Sequence, residues 1–102
     1  MFTIRRTDIF DGWLKGLKDR RAVARIARRI DRFENGNPGL TRDLGDGVSE
    51  MKVDYGPGYR IYYCRRGKVI FLLLCGGDKR TQSKDIAEAK RMAKEWKDDE
   101  GN

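Results

Sequence analysis

Residues 47–77, GVSEMKVDYGPGYRIYYCRRGKVIFLLLCGG, hold three short runs rich in Val, Ile, Tyr and Phe, separated by two glycine turns. No other stretch limits the fold as much, because such runs read as consecutive β-hairpins. Directly opposed residues of an antiparallel pair share a face. A three-residue Gly56-Pro57-Gly58 loop opposes Tyr55 to Tyr59, Val53 to Ile61 and Met51 to Tyr63, which gathers the large apolar side chains on one face. A two-residue loop would set Arg60 against Val53 and mix the faces. The opposite face then carries Asp54 across from Arg60, Lys52 across from Tyr62 and Glu50 across from Cys64. Through a two-residue Arg66-Gly67 turn, Ile70, Leu72 and Leu74 join the apolar face. Val69, Phe71, Leu73 and Cys75 fall with Arg60. The third run is thus apolar on both sides, and other elements must cover both.

The flanking segments supply that cover. Phe2 to Arg5 alternates and can add an edge strand. Thr7 is placed to cap a helix bearing Phe10, Trp13, Leu14 and Leu17 at helical spacing, with Gly12 and Gly16 four apart where another element could approach. Asp19 caps a second helix running to about Glu34, with an apolar stripe of Val23, Ile26, Ala27, Ile30 and Phe33. Residues 36–47 read as a loop. After the third strand, GGDKRTQSKD leads into a last helix with Ile86, Ala89, Met92, Ala93 and Trp96 on one side, the natural cover for the second face. The polar tail from Lys97 to Asn102 is expected to fray. The expected class is α+β: an edge strand, two helices, a three-stranded antiparallel meander and a C-terminal helix, as one domain over residues 1–102.

Charge narrows the partners. Twenty-three Lys and Arg against 16 acids give a net +7, and mean hydropathy is -0.78. The surplus favours a polyanion or an acidic protein. Around the second helix stand Arg20, Arg21, Arg25, Arg28, Arg29 and Arg32, with only Asp31 and Glu34 to oppose them. Either this is a solvated helix face, or it is a rail for a phosphate backbone. Lys52 and Arg60 share a strand face, and Lys79 and Arg80 follow the last strand; such cations suit a phosphodiester. Arg60 could equally be the cross-strand partner of Asp54. Tyr62, beside Arg60, could stack on a nucleobase. Histidine is absent, and Cys64 and Cys75, set about 18 Å apart by the expected register, read as free thiols rather than a disulfide or zinc site. No cofactor is implied. No apolar run approaches membrane-spanning length, so a soluble, cytoplasmic protein is expected.

The strand, two-helix, meander and helix order, with VSEMKVDYGPGYRIYY and LLLCGGDKRTQSKDIAEAKRMA, resembles the RelE/ParE superfamily of type II toxins. Nearly the whole chain takes part, and GPGYR with GGDKxTQxxDI is most similar to the HigB-like addiction module killer branch. The resemblance implies an mRNA interferase, a metal-independent endoribonuclease that cuts messages in the ribosomal A site. It also implies a hetero-oligomer with a cognate helix-turn-helix antitoxin, and partners that include ribosome and mRNA but no membrane. Carried onto this chain, it marks Arg60, Arg80, Lys79 and Lys52 as catalytic; the residues themselves suggest Tyr62, Arg25, Arg28 and Arg29 for substrate binding. Two positions depart from the pattern: Glu50 stands where RelE-type members carry a second lysine, and Ile86 where many carry tyrosine or histidine. The proton-transfer group is then open among Lys52, Asp78, Lys79 and Asp85. The alternative that the resemblance implies is a ParE-like toxin that binds DNA gyrase without cutting nucleic acid.

Overall fold

The computed structural model describes residues 1–100, with side chains described through Trp96. In chain order the elements are β1 (Thr3–Arg6), α1 (Asp8–Gly16), α2 (Arg20–Glu34), β2 (Thr41–Gly45), β3 (Val48–Val53), β4 (Tyr59–Arg66), β5 (Ile70–Asp78), a 3-10 turn (Lys79–Thr81) and α3 (Gln82–Glu100). The strands form one sheet in the order β1-β5-β4-β3-β2, with β1 parallel to β5 and the other pairs antiparallel. This is the α+β arrangement expected from the sequence, and it is compatible with a RelE-like fold. It differs by one strand: β2 pairs with β3 where a loop was expected. The expected fraying over 97–102 lies outside the residues described in full.

Both faces of the sheet are buried. Helices α1 and α2 cover the face bearing Met51, Val53, Ile61, Tyr63, Phe71 and Leu73, with Phe10, Ile26, Ile30 and Phe33 fully or nearly withdrawn from solvent. Helix α3 lays Ala89, Met92 and Ala93 on the other face, over Val48, Tyr62, Cys64, Leu72 and Leu74. The caps form as the sequence suggests. Thr7 accepts from Phe10 N–H at 3.0 Å, and Asp19 accepts from Arg21 and Ala22 N–H at 2.9 and 3.3 Å. Two details of the helices change. Ala22, not Ala27, completes the buried stripe of α2, because Ala27 lies one residue and so about 100° beyond Ile26. Gly12 and Gly16 face open space rather than another element.

The registers change more, for one physical reason in each turn. The first loop spans five residues instead of three. Gly58 N–H closes on Tyr55 O at 3.1 Å, leaving Asp54 and Tyr55 outside the ladder and pairing Val53 with Tyr59, Met51 with Ile61 and Lys52 with Arg60. A shift of two preserves the faces but changes every partner. Asp54 therefore is not the mate of Arg60. The second loop has three residues, Gly67 to Val69, pairing Arg66 with Ile70. The Arg65 side chain secures it by donating to Gly67 O and Lys68 O at 2.7 and 2.9 Å. The register moves by three, so that Tyr63 meets Leu73 rather than Ile70, and an odd slip turns the strand over: Phe71 and Leu73 face α1 and α2, and Leu72 and Leu74 face α3, the reverse of the expectation. A bulge at Leu74 then restores the phase, setting Gly76 opposite Ile61 and Gly77 opposite Arg60. The Leu74 carbonyl accepts the Thr7 hydroxyl at 2.6 Å, which ties α1 to the irregularity.

Candidate functional site

On the α3 side of the sheet, at the end where β2 and β3 diverge, lies a cleft of about 340 Å³ lined by Leu40, Thr41, Arg42, Glu50, Lys52, Arg60 and Gln82. Lys52 and Arg60 are directly opposed across the β3–β4 pair. Like charges in that position repel. The offset comes from Glu50, two residues before Lys52 and therefore on the same face. Its Oε1 lies 3.1 Å from Arg60 Nε, though off the line of that N–H, and accepts from Gln82 Nε2 at 3.2 Å; its Oε2 lies 3.3 Å from Arg42 Nε. Arg60 and Glu50 are only 6% and 5% exposed, so the pair is withdrawn from water. Arg60 Nη1 also donates to Gly58 O at 2.8 Å, across its own strand entry. Lys52 is exposed at the mouth.

The other expected residues distribute unevenly around this centre. Arg80 is exposed and held by Asp78, with Nη2 3.0 Å from Oδ2, while Arg80 N–H donates to Asp78 Oδ1 at 2.8 Å as part of the cap of the 3-10 turn. The Arg80 guanidinium keeps the Asp78 carboxyl below the usual carboxylate range, and Asp78 in turn raises the Arg80 pKa. Lys79 lies beside Gly58, whose carbonyl holds Arg60. Asp85 accepts from the Thr81 hydroxyl at 2.5 Å and lies over Gly77, where an added Cβ would overlap its carboxylate. Gly77 is the β5 neighbour of Arg60, so glycine there admits Asp85 to the same region.

Tyr62 corrects an expectation. It is fully buried under α3, so its ring has no face to offer a base. Burial foremost, then the nearby Glu50 and Asp85 carboxylates, pushes its phenol pKa upward, and its hydroxyl has no hydrogen-bond partner among the described residues.

The α2 arginines sit on the opposite side of the sheet from the cleft and divide into two sets. Arg25 stacks over the Tyr55 ring, 4.6 Å from its centroid. Arg29 is half-buried and donates to Lys52 O and Pro38 O. Arg20, Arg21, Arg28 and Arg32 are exposed and carry no ion pair among the described residues. Sequence reasoning missed the cleft residues Arg42, Glu50 and Gln82 for two causes: without β2 there is no second wall to carry Arg42, and without the true register Glu50, with Gln82 bonded to it, has no reason to meet Arg60. Among the described residues no group of three or more His, Cys, Asp or Glu could hold a metal ion, and no helix is long and apolar enough to cross a membrane.

A five-stranded sheet sandwiched by helices, with a cationic cleft at one end, makes this a small α+β fold compatible with the RelE-like class. Residues 12–97 match the phage-derived protein Gp49-like family (DUF891), and the chain belongs to that family, which is of the toxin–antitoxin type. It is also similar to an uncharacterized protein of Haemophilus influenzae strain Rd, 48% identical over 92 residues that span 90% of this chain and 93% of that one.

Proposed function

We propose that the protein is the toxin of a type II toxin–antitoxin module, in the HigB-like branch of the RelE/ParE superfamily, and that it cuts mRNA on the ribosome. The observation that carries this reading is the direct opposition of Lys52 and Arg60 in the wall of a cleft of about 340 Å³. Two cations forced together are costly unless a function or a counter-charge holds them, and a phosphodiester supplies the matching charge. In the proposed reaction the RNA 2′-oxygen bonds to the adjacent phosphorus as the bond to the 5′-oxygen breaks, leaving a 2′,3′-cyclic phosphate and a 5′-hydroxyl. Arg60 and Lys52 stabilise the charge that builds on the phosphoryl oxygens. Glu50, the carboxylate in the cleft wall, can accept the 2′-hydroxyl proton, and the departing 5′-oxygen takes up a proton from Lys79, which lies beside Gly58 at the entry to β4, with Arg80 adding positive charge next to it in the chain. The cognate antitoxin is an acidic partner, which places carboxylates against Lys52 and Arg42 where phosphate would otherwise lie; rising salt slows its association.

One observation favours the gyrase-binding reading. Arg60 and Arg80 are each already engaged by an internal carboxylate, Glu50 and Asp78, whereas Arg20, Arg21, Arg28 and Arg32 on α2 carry no ion pair among the described residues. Inducing the protein in a bacterium and mapping transcript 5′ ends separates the two. Cuts inside translated codons support the endoribonuclease; a DNA-damage response without cuts supports the gyrase inhibitor.

A further inference from the structure

Strands β2 and β3 part company after the pair Thr41 and Met51: β3 continues to Val53, while the chain preceding Thr41 turns away through Pro38 and Gly39. The fork leaves main-chain carbonyls without ladder partners. Arg29 enters it from α2, with Nη1 donating to Lys52 O at 2.6 Å and Nη2 to Pro38 O at 3.2 Å. The fit is close. Gly39, at φ 71°, lies against the guanidinium so tightly that an added Cβ would stand 2.8 Å from Nη2. Burial here, and secondarily repulsion by Arg32, lowers the Arg29 pKa from its ordinary value, though it stays charged at neutral pH. The two carbonyls belong to opposite walls of the cleft. Lys52 lines one, while Leu40 and Thr41, just after Pro38, line the other.

We infer that Arg29 is a positioning residue: its two-pronged hydrogen bond sets the separation of the Lys52 wall from the wall formed by residues 40–42, and it is not one of the arginines that meets a polyanion. The planar fork of a guanidinium can span two carbonyls from different segments, which a single ammonium does poorly. For its activity arm the inference rests on the endoribonuclease reading; its structural arm does not.

The test compares Arg29→Gln, Arg29→Lys and, as a control on the same helix, Arg28→Gln. Amide chemical shifts and hydrogen exchange are recorded over the whole chain, and single-turnover cleavage is measured on ribosomes stalled on a defined message. Two hydrogen bonds from a charged donor correspond to about a tenfold effect or more. Both Arg29 variants are expected to shift and accelerate exchange at the amides of residues 39–42 and 52–53 with α3 and β5 unchanged, and to lower the maximal cleavage rate by about tenfold with little change in half-saturation. Arg28→Gln is expected to raise half-saturation and leave those amides and the maximal rate alone. Three results overturn the inference: wild-type shifts and rate in Arg29→Lys, which would make charge alone sufficient; a pure half-saturation effect in the Arg29 variants; or exchange accelerated uniformly over the molecule. If the wild-type protein cuts no message, the endoribonuclease reading fails, and the shifts and exchange still decide the role of Arg29.

Discussion

Replacing Arg60 by Ala tests whether the central cation of the cleft is a buried ion pair or a free ligand. Arg60 and Glu50 are 6% and 5% exposed, and breaking a pair at such depth costs about 3 to 5 kcal/mol when the surviving charge is left alone. Glu50 is not quite alone in the variant. Gln82 remains at 3.2 Å, and Arg42 at 3.3 Å, although the Arg42 side chain is 58% exposed and so a weak partner. Removing Arg60 also relieves its repulsion of Lys52, worth about 0.2 to 1 kcal/mol in the other direction. The expected net destabilisation is about 2 to 3 kcal/mol, which lowers the melting temperature of a domain of this size by about 8 °C or more. Urea unfolding should show a lower midpoint with an unchanged slope. Adding Glu50→Gln neutralises the stranded carboxylate, so the double variant should be more stable than the sum of the singles predicts by about 1 kcal/mol or more. An Arg60→Ala protein within about 0.5 kcal/mol of wild type, or strict additivity in the cycle, would refute the buried-pair reasoning. Activity must then be read per folded molecule, where the loss of a charge-stabilising group should lower cleavage by about 10² to 10³.

Gly76→Ala places a methyl inside the Trp13 ring and should destabilise by about 1 to 3 kcal/mol in chemical unfolding; a neutral result would mean that α1 is free to move off the sheet. Changing Arg20, Arg21, Arg28 and Arg32 together to Gln should leave the melting temperature near wild type, since none is ion-paired among the described residues. If these arginines meet ribosomal RNA, the slope of log affinity against log salt should fall by about 3, and an unchanged slope returns α2 to a merely solvated face. Cys64 and Cys75 are buried, which pushes their thiols up to about 11 and about 12. The thiolate is the reactive form and becomes the major species only above those values, so iodoacetamide at neutral pH should label the unfolded chain and spare the native one, as mass spectrometry can show.

Helix positions, both caps, the two-sided burial of β5 and the identity of its covering helix are legible in the sequence, because periodicity and capping chemistry are local. Strand partners are not. Whether a glycine turn takes two, three or five residues depends on Arg65 reaching Gly67 O and on Gly58 closing onto Tyr55, contacts that no pattern of apolar residues encodes. Strand β2 escapes detection because in TRDLG only Leu44 is apolar, and an edge strand with one half-buried residue has no alternation to read. The same gap hides Arg42 from the site. Lys52 and Arg60 were visible as same-face cations, whereas their direct opposition was not. Tyr62 was misplaced because a strand face that carries cations at one end and is roofed by a helix at the other cannot be told from a uniformly open one.

The parallel pairing of β1 with β5 joins Thr3–Arg6 to residues 70–73, 67 residues further along the chain. A ribosome delivers residues in order, so Phe2 and Ile4 emerge early and wait, unpaired, while α1, α2 and the meander are still being made. Only when β5 has cleared the exit tunnel can the sheet close and Thr7 find the Leu74 carbonyl. Contacts of such long sequence separation form late and set the folding rate. The same strand, through Gly77, borders Arg60. The cleft therefore cannot exist on a nascent chain that still holds β5 inside the ribosome, and the polypeptide carries no formed cleft during most of its own synthesis.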